Sequence, residues 1–166
     1  MKIKDIALIG MMSAILIAVQ VALGFIPNIE LVSLLIILYT LVFGRKTLFI
    51  IYVIAAIEGM IYGMGLWWFT YLYVWTILFF VVMIFRKQNS VFLWAVLSGF
   101  YGLAFGALCA ILTLFLSGPS SAVSYWIAGI PFDIIHCVSN FIVTLFLFRP
   151  LYYVLNKINQ RAILLP

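Results

Sequence analysis

Apolar residues run along this chain in long blocks, with neither the strict alternation of a half-buried strand nor the single stripe of a helix lying on a soluble core. Six blocks stand out, at 6–24, 31–43, 47–61, 67–85, 91–115 and 125–148. A helix that is apolar all round belongs in lipid or in the middle of a bundle. The interruptions carry turn chemistry: Pro27-Asn28, Gly44, Gly63-Met64-Gly65, Gln88-Asn89-Ser90 and Ser117-Gly118-Pro119-Ser120-Ser121. The pattern predicts an all-α membrane protein, one integral domain over residues 1–166 built as a bundle of six transmembrane helices. The second block is short: 13 residues rise ~20 Å, less than a bilayer's hydrocarbon core. It must borrow from Asn28–Glu30, sit where the bilayer is thinned, or be shielded by its neighbours. Beyond the sixth block, residues 149–166 read as an interfacial tail, with apolar and polar residues alternating at roughly helical spacing over Leu151–Arg161.

Composition narrows the class. Of 166 residues, 68% are hydrophobic and 8% charged, whereas a soluble domain is about 45–50% apolar and about 25% charged. This excludes a soluble enzyme, a nucleic-acid binder and a disordered chain. The net charge of +5 does not reopen nucleic acid as a partner, because of where the basic residues fall. They form four clusters, Lys2/Lys4, Arg45/Lys46, Arg86/Lys87 and Arg149/Lys157/Arg161, and the other three connections carry none. By the positive-inside rule both termini and the two basic loops are cytoplasmic, which requires an even number of spans. Cys109 and Cys137 lie inside apolar blocks, which argues against a secretory disulfide framework.

The polar residues inside the blocks carry the chemistry. Asp133, His136 and Asn140 share one face of the sixth helix, at steps of three and four. Intramembrane ionisable groups normally face a bundle interior or a watery cavity. Two readings stay open: a ligand site, or internal satisfaction with His136 donating to Asp133 and Asn140 bridging helices. Pro131 removes a backbone donor just before them and frees a carbonyl. Glu58 sits about one turn and Asp133 about two turns from the outer ends of the expected helices, with Gln20 at comparable depth. Glu30 stands at the outer start of the second helix, where a carboxylate suits the helix N-terminus. With Glu30, Glu58 and Asp133 present, His136 as the one possible cation and no Lys or Arg, an outer cavity would favour a cationic or donor-rich ligand.

Trp67, Trp68, Phe69, Tyr71, Tyr73 and Trp75 open the fourth helix. The first two tryptophans suit an interfacial belt, while the deeper rings offer faces for a flat ligand. Small residues form two stripes, Ala7-Gly10-Ala14-Ala18 on the first helix and Ser98-Gly102-Gly106-Ala110 on the fifth. Such stripes let helices approach closely in lipid, within the chain or against a partner. Several classes are excluded. No G-x-x-x-x-G-K loop is present, so an ATP-driven step would need another subunit. A single His rules out an H-E-x-x-H zinc site, and Ser139, beside Asn140 on one helix, is badly placed as a nucleophile for His136. No metal, cofactor or catalytic residue is expected.

The stretch Ala14-Ile-Leu-Ile-Ala18, the segment Ile26-Pro27-Asn28-Ile29-Glu30, Leu41-Val-Phe-Gly44, and Tyr125-Trp126 leading through Pro131, Asp133 and His136 to Asn140 resemble the substrate-binding S components of energy-coupling factor (ECF) vitamin transporters. The resemblance covers nearly the whole chain. It implies a capture subunit in a bacterial plasma membrane that binds a vitamin-like small molecule from outside and topples to release it inward. Ala14 and Ala18 would then dock on the EcfT transmembrane subunit, with two EcfA-type ATPases supplying the energy. The ligand would be held by Gln20, Asn28, Glu30, Glu58, Trp68, Tyr71, Trp75, Tyr125, Trp126, Asp133, His136 and Asn140. The aromatics and the sign of the site favour a thiamine, pyridoxine or cobalamin type over pantothenate or biotin. The competing classes are a polytopic scaffold similar to the cell-shape protein MreD, in which the buried acids only join helices, and a stand-alone secondary transporter.

Overall fold

The computed structural model describes residues 3–26 and 28–164, with side chains described through residue 160; Lys2, Pro27, the Arg161 side chain and the last two residues lie outside it. The described chain is helical, without a strand, in the order α1 Ile3–Leu23, α2 Val32–Phe43, α3 Lys46–Tyr62, α4 Leu66–Phe85, α5 Val91–Ser117 and α6 Pro119–Leu164. Four of these, α1, α4, α5 and α6, are long and apolar enough to cross a membrane, and α2 is a shorter apolar helix. Large apolar side chains cover the outside: Ile84, Phe115 and Phe146 are 76%, 81% and 71% exposed. A helical membrane bundle puts such residues against lipid.

The short helix is shielded by its neighbours. Ten of the twelve residues of α2 are buried, with α1, α3, α4 and α6 all touching it. Its backbone therefore meets protein rather than acyl chains on every side. The Tyr39 hydroxyl donates to the Met12 carbonyl of α1 at 3.3 Å, and Thr40 returns its hydroxyl to the Ile36 carbonyl at 2.7 Å, while the buried Ser33 hydroxyl makes no hydrogen bond. At the opposite end from Glu30, Lys46 pairs with Asp5 at 2.7 Å, and Asn159 donates to the Val42 carbonyl at 3.2 Å. The starts of α1 and α3 and the last turns of α6 thus meet at one end of the bundle.

The last two helices differ from the sequence expectation. α5 continues to Ser117 and is stopped by Gly118 at φ 84°, whose N–H bonds the Leu114 carbonyl at 3.1 Å. Pro119 then takes the first helical position, where its missing N–H costs nothing, so α6 starts six residues before Tyr125. The expected boundary at 148 is absent as well. Pro150 lies inside α6, and stacked rings of Trp94, Phe148 and Tyr152 carry the packing across it. The segment after 149 is therefore a continuation of α6 that buries Leu155, not a separate element. Asp133 consequently lies 14 residues into α6, about 21 Å along it, rather than two turns from its outer end.

The stripe on α5 explains how closely α5 and α6 pack. A Cβ at Gly102 would stand 2.8 Å from the His136 carbonyl oxygen, and one at Gly106 would overlap the Asp133 carboxylate. In contrast, a Cβ at Gly10 of the α1 stripe meets nothing within 4 Å, and Ala7, Ala14 and Ala18 are exposed. Gly102→Val should therefore lower stability by about 1–3 kcal/mol, as overpacking does, while Gly10→Ala, whose Cβ meets nothing, should not lower it and should raise it by up to about 1 kcal/mol. Thermal unfolding of the purified protein in detergent reads both.

Candidate functional site

Because α2 begins so late, space is left above it. The chain joining α1 to α2, described at residues 24–26 and 28–31, crosses that space as a strap, and beneath it is a cavity of about 240 Å³. The strap supplies Ile26, Asn28 and Glu30; α1 adds Gln20 and Leu23, α4 adds Tyr71 and Trp75, and Phe105 and His136 close the wall from α5 and α6.

Two contacts tie the strap to α6. Glu30 Oε1 lies 3.2 Å from His136 Nε2, and the Ser139 hydroxyl donates to the Asn28 carbonyl at 2.7 Å. Asn28 itself has φ 59°, a left-handed conformation that Asn adopts more readily than most residues and that turns the strap back toward α2. The second Glu30 oxygen accepts the Ser33 N–H at 2.8 Å, satisfying a donor in the first turn of α2. His136 and Ser33 thus hold both oxygens of the Glu30 carboxylate. The Asp133–His136 bond of the internal-satisfaction reading is not formed; His136 bonds to Glu30 of the strap instead.

Asp133 is turned away from the cavity. Its Oδ1 accepts the Gly106 N–H at 3.0 Å, a contact that the absence of a side chain at 106 makes possible. Asn140 and Thr144 continue the same face of α6, both buried, with Asn140 Nδ2 and Thr144 Oγ1 unbonded. Glu58 is 2% exposed and lies behind the wall, next to Gln20 and Tyr71.

The cavity's inner wall is aromatic. Tyr71 and Trp75 meet edge to face at 5.7 Å between ring centres, Trp75 and Phe105 are 5.7 Å apart, and Phe105 meets the His136 ring at 5.1 Å. Tyr73 faces elsewhere and donates to the Leu108 carbonyl at 2.8 Å.

Of the sequence candidates, Gln20, Asn28, Glu30, Tyr71, Trp75 and His136 come together on this cavity. Trp68 does not; its indole nitrogen donates to the Ala55 carbonyl at 2.8 Å, joining α4 to α3. Trp126 is 44% exposed and lies in an apolar surface groove with Ala107 and Ile111. The early start of α6 turns that residue toward the outside of the bundle. Tyr125 lines a second hollow of about 430 Å³ with Thr70, Thr113 and Ser117, separated from the first by the shared side chains of Tyr71 and Phe105. Phe105 and Ser33 escaped the sequence reading, and Ser139 was weighed there only as a nucleophile, not as a partner of the strap. Ser139 follows Asp133 and His136 at steps of three, a signal that was present, whereas Phe105 is one of many aromatics in an apolar helix and gave none. Among the described residues, no group of three His, Cys, Asp or Glu side chains is placed to hold a metal ion.

Comparison with known proteins finds no match: no family model, no curated protein and no solved structure aligns significantly with this chain.

Removing the ring that holds the strap gives a direct readout. His136→Ala should speed hydrogen exchange at the Ser33 amide and neighbouring strap amides by about tenfold to a hundredfold, the loss of one charge-assisted bond of about 1.5–3 kcal/mol. Exchange at α5 amides should be unchanged.

Proposed function

We propose that this chain captures a small molecule at the outer face of a bacterial plasma membrane and passes it inward as the S component of an ECF-type importer. The observation that carries the reading is the strapped cavity over α2, a hollow with an aromatic wall whose cover is fastened by Glu30–His136 and Asn28–Ser139. A protein whose buried polar groups served only to join helices has no need for space above a shortened helix. In this reading all six helices span the bilayer, both termini are cytoplasmic, and the strap faces outward. The charge distribution supports it: Lys46 meets Asp5 at the end opposite the strap, Arg86 and Lys87 follow α4, and Lys157 lies in the last turns of α6, whose Asn159 bonds the end of α2.

The partner surface is the outward face of α1. The α5 stripe is consumed by α6, whereas Ala14 and Ala18 stay exposed. A flat face of small residues lets a second membrane helix approach closely, and EcfT with two EcfA-type ATPases would supply the ATP hydrolysis for which this chain has no nucleotide loop.

Two measurements test the two halves of this reading. Heat-denatured pure protein, analysed by mass spectrometry, should release about one small molecule per chain; its absence from freshly prepared protein would contradict capture. Ala14→Trp and Ala18→Trp should keep that molecule through purification yet lower uptake in cells expressing the EcfT and ATPase subunits at least tenfold. Normal uptake by both would remove α1 as the docking face.

A further inference from the structure

Three of the four acids have found partners inside the protein. Asp5 pairs with Lys46 at 2.7 Å, Glu30 is held by His136 and Ser33, and Asp133 takes the Gly106 N–H. Glu58 is different. It is 2% exposed, and neither of its oxygens makes a hydrogen bond. Its polar neighbours are Gln20 and Tyr71, both of which line the cavity under the strap. Gln20 Oε1 is buried without a donor as well.

Three buried acceptor oxygens, two on Glu58 behind the wall and one on Gln20 in it, therefore lie without a hydrogen bond, and the Gln20 side chain is the polar group set between Glu58 and the cavity. Buried polar atoms in native proteins are rarely left in that state, and in lipid no water reaches them from outside the bundle. The one imidazole on the cavity is already bonded to Glu30, and no Lys or Arg lines it. The same cavity is lined by the rings of Tyr71, Trp75 and Phe105, whose faces attract cations and stack on flat groups. The cavity volume of about 240 Å³ equals the share of about eight water molecules, room for a single ring with a short substituent.

We propose that Glu58, reached through the Gln20 carbonyl oxygen, reads the ligand's charge, and that the ligand is a flat ring bearing a cation or a cluster of N–H donors. Glu30 and Asp133 are not the readers: the first fastens the strap and the second clamps α5 to α6. This inference rests on the capture reading above, and the test separates the two.

Benzamidinium, benzamide and benzoate have nearly the same shape and differ in charge. Binding of each to the purified full chain, freed of any co-purified compound and held in lipid nanodiscs, is measured by calorimetry. Benzamidinium should bind at least tenfold tighter than benzamide, with benzoate weakest. Glu58→Gln should bring benzamidinium down to the benzamide level while leaving benzamide itself unchanged. Should Glu58→Gln not fold, Gln20→Met, which keeps volume and removes the oxygen, should weaken benzamidinium several-fold with benzamide unaffected. Equal binding of the three, tightest binding of benzoate, or a charge preference that survives these substitutions overturns the assignment to Glu58 and leaves capture standing. If none binds, the compound released from the protein as purified decides: a cationic or N–H-rich ring supports the inference, an anion overturns it, and no compound at all overturns capture itself.

Discussion

A helix too short for its surroundings shapes this protein. The twelve residues of α2 rise about 18 Å, against a hydrocarbon core of about 30 Å. An isolated helix of that length would leave terminal N–H and C=O groups in lipid, each at a cost of several kcal/mol. Here α2 is surrounded on all sides by other helices, so its ends meet protein. As a span, such a helix would fall about 12 Å short of that core. The irregular strap, described at residues 24–26 and 28–31, lies over its first turn with the cavity beneath. Non-helical backbone at this depth is tolerated only where it is enclosed by protein or lines such a space.

The polar residues of α6 follow from the same constraint. Asp133, His136 and Ser139 would each be costly against acyl chains. Each bonds instead to a backbone or strap group from another element: the Gly106 N–H, the Glu30 carboxylate and the Asn28 carbonyl. Gly102 and Gly106 make the first of these possible by letting α5 approach to backbone contact. Strap, α5 and α6 are thus joined through three side chains within two turns of α6.

Much of the fold was legible because lipid imposes a simple code. Blocks of apolar residues, and turn residues between them, located all six helices to within a few residues at most ends. The failures have local causes. The run Ser117–Ser121 looks like a loop in composition, yet Gly118 and Pro119 are also the residues that stop one helix and start the next without a gap. Pro150 looks like a terminator, but the ring stack across it holds the helix together. For the site, the polar face of α6 could be read from its spacing, and so could Glu30 as a first-turn carboxylate for α2. The pairing of Glu30 with His136 could not. It joins residues 106 positions apart and depends on how deeply the strap descends, a consequence of packing around α2 that no local pattern contains. Trp68 and Trp126 show the reverse problem: tryptophan near a helix end reads alike whether it faces a cavity, a neighbouring helix or lipid.

The outward opening of the cavity is the claim on which capture depends, and its most direct test is chemical access. In a chain with Cys109 and Cys137 replaced by Ser, a single cysteine is introduced at Ile26, on the strap and lining the cavity. Intact cells are then treated with a membrane-impermeant maleimide. Labelling of intact cells, with a control cysteine at Asn156 near the opposite end labelled only after permeabilisation, is the predicted result. Labelling at Ile26 only after the membrane is breached would place the strap on the cytoplasmic side and contradict capture from outside.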